Sequence, residues 1–249
     1  MRKTGIIFKR DFRELKQTNT FLIISIIFAV ITIAIAVSVS IILSRQDWIG
    51  QKEAEPVLEL IIGLIAYFLP FTILMAFIWV FSSLPVVREK VKGNIASLIA
   101  TTLSPKEIWL GKSLAIFIPG YIISIISTMI VLLVINLTVI VPATGNFLFP
   151  LPLFLLSLIL NPLLLLGLLL FIILFSLANN PDIAIAPSFL VGFGLMIGIP
   201  LGMALGAIKL ASWSFSLWYL AGVIIVWIVI FFLTRLLTKE NIVLSSKGG

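Results

Sequence analysis

Six apolar runs, each long enough to cross a bilayer, dominate this chain: 21–43, 57–84, 114–141, 151–178, 183–207 and 215–236. About 20 residues at roughly 1.5 Å each traverse a hydrocarbon core. Backbone groups in lipid must be paired internally, so such runs fold as helices or as barrel strands. Barrel strands alternate in polarity, whereas these runs are apolar on every face. Hydrophobic residues make up 61% of the chain, against 17 basic and 10 acidic residues, so too little polar surface exists to cover a water-soluble fold or to sustain disorder. The chain has no Cys and no His, which excludes disulfides, thiolate nucleophiles, Cys/His zinc sites and imidazole catalysis. The fold class read here is an all-α integral membrane protein of six transmembrane helices in a single domain, 1–249. The first run is too long for a signal peptide, and no small-residue cleavage site follows it.

Charge sets the topology. Segment 1–20, loop 85–113 and the C-terminal end share one side of a six-span protein and hold 14 basic residues, against 3 on the other side. Lys and Arg concentrate in cytoplasmic loops. Both termini are therefore expected in the cytoplasm, in the plasma (cytoplasmic) membrane. The net charge of +7 is this loop bias and not a nucleic-acid footprint. The opposite connections span 13, 9 and 7 residues, too short for a ligand-binding domain.

Two pieces outside the lipid carry information. In segment 5–20, Phe8, Phe12 and Leu15 fall at i, i+4, i+7 among Lys9, Arg10, Arg13 and Lys16. That pattern predicts an amphipathic helix lying in the membrane interface. In loop 85–113, Pro85 is expected to end the second span. Arg88, Glu89, Lys90, Lys92 and Gly93 follow. Ile95, Leu98, Ile99 and Thr102 then recur at i, i+3, i+4, i+7, a short amphipathic helix. Ser104-Pro105-Lys106-Glu107 is a capping box that starts a new helix, with Ser as N-cap, Pro at N1 and Glu at N3. A short surface helix needs something to pack on: lipid headgroups or a soluble partner.

The same loop resembles the type-2 permease family of ATP-binding-cassette (ABC) transporters. In that pattern a charged run leads to Gly-Thr-Leu-Glu, a few apolar residues, Ala-Thr-Pro-Leu-Ser, polar residues and Gly-Lys. Here Gly93, Leu98, Ala100, Thr101, Leu103, Ser104, Gly111 and Lys112 fit it, while Ala96 stands for the Glu and Thr102 for the Pro. Topology and the Lys239-Glu240-Asn241-Ile242 end also fit, although only about 25 residues carry the motif.

The resemblance implies a permease subunit of an ATP-driven exporter. It implies pairing with a second permease copy, as a homo- or heterodimer, and docking of separate ATPase subunits that hold ATP and Mg. This chain would bind no cofactor and would not be an enzyme. A coupling helix is implied at Gly93–Leu103, with Ile95, Leu98, Ile99 and Leu103 as its contact residues. With Ala96 in place of Glu, charge recognition would fall to Arg88, Glu89, Lys90 or Lys92. The chain itself carries no phosphate-binding loop. Gly111-Lys112-Ser113 matches only the end of one, with Lys106 where its first Gly belongs.

Within the fifth run, Gly194, Gly198, Gly202 and Gly206 repeat every four residues, the spacing for close helix contact. They serve either packing within one subunit or a dimer seam, with Gly192 and Pro200 adding a kink. Glu59, three residues past Pro56, is expected to reach the interface. Asn136 and Asn161-Pro162 are expected to hydrogen-bond between helices; the alternative at Asn161-Pro162 is a helix break that exposes carbonyls. Asp182 either starts the fifth span or makes a smaller ATPase contact. An ATPase-independent transporter or channel and a non-transporting scaffold or immunity protein are the alternatives. An intramembrane enzyme would need clustered acids or His at membrane depth, which the sequence lacks.

Overall fold

A computed structural model of the chain describes residues 2–51, 54–91, 103–178 and 181–238. Among the described residues seven helices run in order. They are α1 (Arg2–Lys16), α2 (Asn19–Ser44) and α3 (Glu55–Val91), then α4 (Pro105–Thr144) and α5 (Leu151–Ala178). Last come α6 (Pro181–Ala204) and α7 (Trp213–Leu233), followed by a single 3-10 turn, Thr234–Leu236. Six of them, α2 to α7, are long and apolar enough to cross a membrane. By length and composition this is a multi-pass membrane protein.

Local chemistry sets the helix starts. Thr18 Oγ1 accepts the Phe21 N–H at 3.2 Å, and Ser212 Oγ accepts the Phe215 N–H at 3.2 Å, capping α2 and α7. The Ser104 capping box forms as expected. The Glu107 N–H donates to Ser104 Oγ at 3.3 Å, and the Ser104 N–H donates to Glu107 Oε2 at 2.8 Å. The expectation at Pro85 is overturned, because α3 continues through it to Val91. A helical proline forfeits one N–H and disturbs the carbonyl four residues back. Pro85 costs the helix a single bond, to the carbonyl of Phe81, and the turns on either side keep their own.

The core is built from α3, α4 and α5, with Tyr67, Phe71, Phe77, Ile135, Ile140 and Leu153 fully buried. Gly120 lets α4 close on α3, since a Cβ there would sit 3.0 Å from Phe77 Cβ and Cγ. Three helices line the outside: α2 packs on α4, α6 on α5 and α3, and α7 on α5. Their outer faces leave Ile33 at 61%, Leu190 at 77% and Trp218 at 77% exposed. Apolar surface on that scale is tolerable only where the surroundings are hydrocarbon.

Two π-helical segments, Asn136–Ile140 in α4 and Leu156–Leu160 in α5, flank the turn that joins these helices. Gly145 closes α4 in the left-handed region at φ +75°, its N–H donating to Val141 O at 2.9 Å.

Candidate functional site

α3 and α4 outrun the bilayer. At 37 and 40 residues they reach about 55 and 60 Å, against a core of about 30 Å. Both continue past their apolar runs, 57–84 and 114–141, on either side of residues 92–102. Arg88, Glu89 and Lys90 occupy the last turns of α3. Leu103 is half-buried directly before the Ser104 cap. Lys92, Gly93, Ile95, Leu98 and Ile99 lie outside the described residues, as do Ala96 and Thr102. At the exposed start of α4, the Ser104 N–H and hydroxyl hold the Glu107 carboxyl below the usual carboxylate range.

α1 is docked on that same end of α4. The buried residues are Ile7 and Leu15, with Asp11 between them. The sequence pattern pointed instead to Phe8, Phe12 and Leu15. Phe8 and Phe12 stack on each other at 5.7 Å, beside the docked face and only half-buried. Amphipathic spacing locates an apolar face but cannot register a face held by an ion pair. Lys112 is 3% exposed, and its Nζ lies 3.2 Å from Asp11 Oδ2. Asp11 also meets Arg10 at 2.7 Å. At Gly111 a Cβ would stand 2.8 Å from Ile7 Cβ and 3.1 Å from Thr4 O, so only glycine admits α1 this closely. Gly111-Lys112 is thus an anchoring pair for α1.

α5 is the hydrogen-bonding post of the membrane region. Trp109 and Tyr121 of α4 donate to Leu170 O at 2.8 Å and Leu158 O at 2.9 Å. Ser216 and Trp227 of α7 donate to Pro152 O at 3.2 Å and Leu163 O at 3.1 Å. Pro162 lacks the N–H that would otherwise bond Leu158 O, which is the carbonyl Tyr121 takes. The freeing of carbonyls by Asn161-Pro162 therefore has a named recipient. Asn161 itself joins three helices: its Nδ2 donates to Tyr67 O at 3.3 Å, and Tyr219 donates to its Oδ1 at 2.5 Å. Asn136 acts within its own hairpin instead. It donates to Leu132 O at 2.9 Å and accepts the Leu148 N–H at 2.8 Å. Sequence reasoning missed the tyrosines and tryptophans. Their signal was available, because a ring N–H or O–H inside an apolar run needs an acceptor.

The four-residue glycine repeat of α6 divides into three roles. Gly206 lies beyond the helix end at φ +71°, and the Ala207 N–H donates back to Gly202 O at 2.8 Å. Gly202 receives the returning chain, with Ile208 Cδ1 2.5 Å from where a Cβ would stand. Gly194 and Gly198 have open space around them. The tight helix contact belongs to Gly192, where a Cβ would overlap Met75 Cε and lie 3.0 Å from Trp79 Cζ2. Trp79 also stacks on Phe189 at 4.4 Å. Leucine at 192 is expected to lower thermal stability by about 1–3 kcal/mol, as overpacking does. Leucine at 198 leaves the single chain's stability within about 0.5 kcal/mol. Thermal unfolding of the two variants in detergent checks the contrast.

A groove of about 340 Å³ runs between α2 and α3, lined by Phe28, Ile31 and Ile35 facing Leu64, Phe68 and Thr72. Thr72 is its one polar side chain, and that hydroxyl donates to Phe68 O at 2.7 Å. Glu59 stands four residues into α3 and is half-buried. No protein-family model matches the chain, and no curated protein or solved structure is detectably similar to it.

Proposed function

We propose that this chain is the membrane permease subunit of an ATP-driven ABC exporter. It works as a dimer with separate cytosolic ATPase subunits that bind ATP and Mg. One observation carries the reading: two helices long and apolar enough to cross a membrane, α3 and α4, continue past their apolar runs and frame the segment that bears the family-like motif. The first turns of α4, capped at Ser104 and ahead of Pro119, form a stiff lever. Force applied at 92–102 travels along it into the bilayer. α1 clamps the base of that lever through Asp11 and Lys112. The charges of Arg88, Glu89, Lys90 and Lys92, with the apolar residues Ile95, Leu98 and Ile99, form the surface that an ATPase recognises.

Both termini lie in the cytoplasm of a plasma-membrane protein, following the 14-to-3 charge split. The translocation path runs between two copies. The open ridge at Gly194 and Gly198 and the apolar α2–α3 groove support a dimer seam and an amphiphilic or hydrophobic cargo.

The test is to tag the protein, solubilise native membranes in mild detergent and identify what co-purifies. A soluble chain bearing a phosphate-binding loop, at one copy per permease, is the expected result. Ile95→Asp with Leu98→Asp is expected to lower its recovery at least tenfold while the permease still folds. Isolation of the chain alone, repeated under cross-linking, defeats the exporter reading in favour of an ATPase-independent transporter or a scaffold. Undiminished ATPase recovery with the double variant defeats the coupling-helix assignment.

A further inference from the structure

Docking fixes the roll of α1. With Ile7, Asp11 and Leu15 turned toward α4, the helical repeat of about 3.6 residues places Lys9, Arg13 and Lys16 on the opposite side. All three are exposed. They fall at i, i+4 and i+7 and form one continuous basic strip. The half-buried Phe8–Phe12 stack lies along its edge. The strip also lies close to the lipid along the chain. α1 ends at Lys16, α2 begins at Asn19, and its apolar run begins at Phe21. Lys16 and Arg13 are thus five and eight residues from the start of a membrane-crossing run, within reach of the headgroup layer. A cationic strip there, edged by aromatic rings, matches an anionic headgroup in charge and an acyl boundary in polarity.

We propose that the outer face of α1 is a binding site for anionic phospholipid headgroups, with Lys9, Arg13 and Lys16 as its cationic contacts. The proposal stands whether or not the chain is a permease. The Asp11–Lys112 pair acts at a distance, by holding the roll that presents the strip.

The test uses the full chain, purified in neutral detergent. Native mass spectrometry follows phosphatidylglycerol retained in competition with phosphatidylcholine. The expected result is preferential retention of phosphatidylglycerol. Each of Lys9→Gln, Arg13→Gln and Lys16→Gln lowers its affinity about fivefold, and the triple variant lowers it about a hundredfold. Raising salt to about 0.5 M shrinks the wild-type preference. These side chains are exposed, so the variants should unfold at the wild-type temperature. If the triple variant fails to fold, the single variants give the same reading. Equal retention of the two lipids overturns the proposal, as does phosphatidylglycerol binding unchanged in the variants. Unchanged lipid binding together with loss of a co-purifying acidic protein assigns the strip to a protein partner instead.

Discussion

Asp11→Leu is expected to lower the stability of the chain by about 3 kcal/mol, measured by thermal unfolding in detergent. The reason is what the substitution leaves behind. Lys112 is 3% exposed, and Asp11 is an anion beside its ammonium, at 3.2 Å. A buried cation that loses this carboxylate keeps its desolvation penalty and loses the attraction between the two. Asp11 retains some solvent access, at 11% exposed, so the lower end of the range applies. Lys112→Met is expected to cost less, since Asp11 still has Arg10 at 2.7 Å. Combining Asp11→Leu with Lys112→Met should recover most of the loss. Strictly additive effects would show that the pair contributes no coupling, and that the clamp of α1 on α4 rests on packing such as that of Ile7 on Gly111.

Asn161→Leu is expected to destabilise the membrane bundle by about 2 kcal/mol. The side chain is fully enclosed and serves two neighbours, the Tyr67 carbonyl of α3 and the Tyr219 hydroxyl of α7. Side-chain hydrogen bonds between membrane helices average about 0.6 kcal/mol and reach about 1.7. Losing two at once, with a tyrosine hydroxyl left buried, sets the larger figure. Tyr219→Phe removes one bond and leaves one acceptor unserved, so about 1 kcal/mol is expected. Asn136→Leu should instead loosen only the hairpin near Leu148. Limited proteolysis within 145–150 would show this with little change in the unfolding midpoint. An Asn161→Leu variant as stable as the wild type would mean that packing, not this junction, joins α3, α5 and α7.

The glycines show how far a repeat can be read. Spacing of four marks one face of a helix, and the sequence places Gly194, Gly198, Gly202 and Gly206 together. The helix ends at Ala204, which removes Gly206 from the face and gives it a left-handed turn. The residue that admits a neighbouring helix is Gly192, outside the repeat. Nothing in the sequence says which glycine a Met75 or a Trp79 will meet, because those partners lie more than a hundred residues away. The docked face of α1 is hidden from the sequence for a related reason. Hydrophobic periodicity ranks Phe8 and Phe12 above Asp11, and only the position of Lys112 reverses that order.

The sequence alone determined the six apolar helices long enough to cross a membrane, the start of α4 at Ser104, and the helical N-terminal segment. These depend on apolar length and on side chains bonding a backbone three residues away, both local properties. Tertiary structure decided which helices are central. Hydropathy does not rank them, since α2, the most apolar, is among the least buried; in lipid, burial is assigned by close packing and by hydrogen bonds between helices. α5 is central because its carbonyls at 152, 158, 163 and 170, and Asn161, find donors on the helices around it. Those donors are 37 to 64 residues distant in the chain, a separation that only the fold closes.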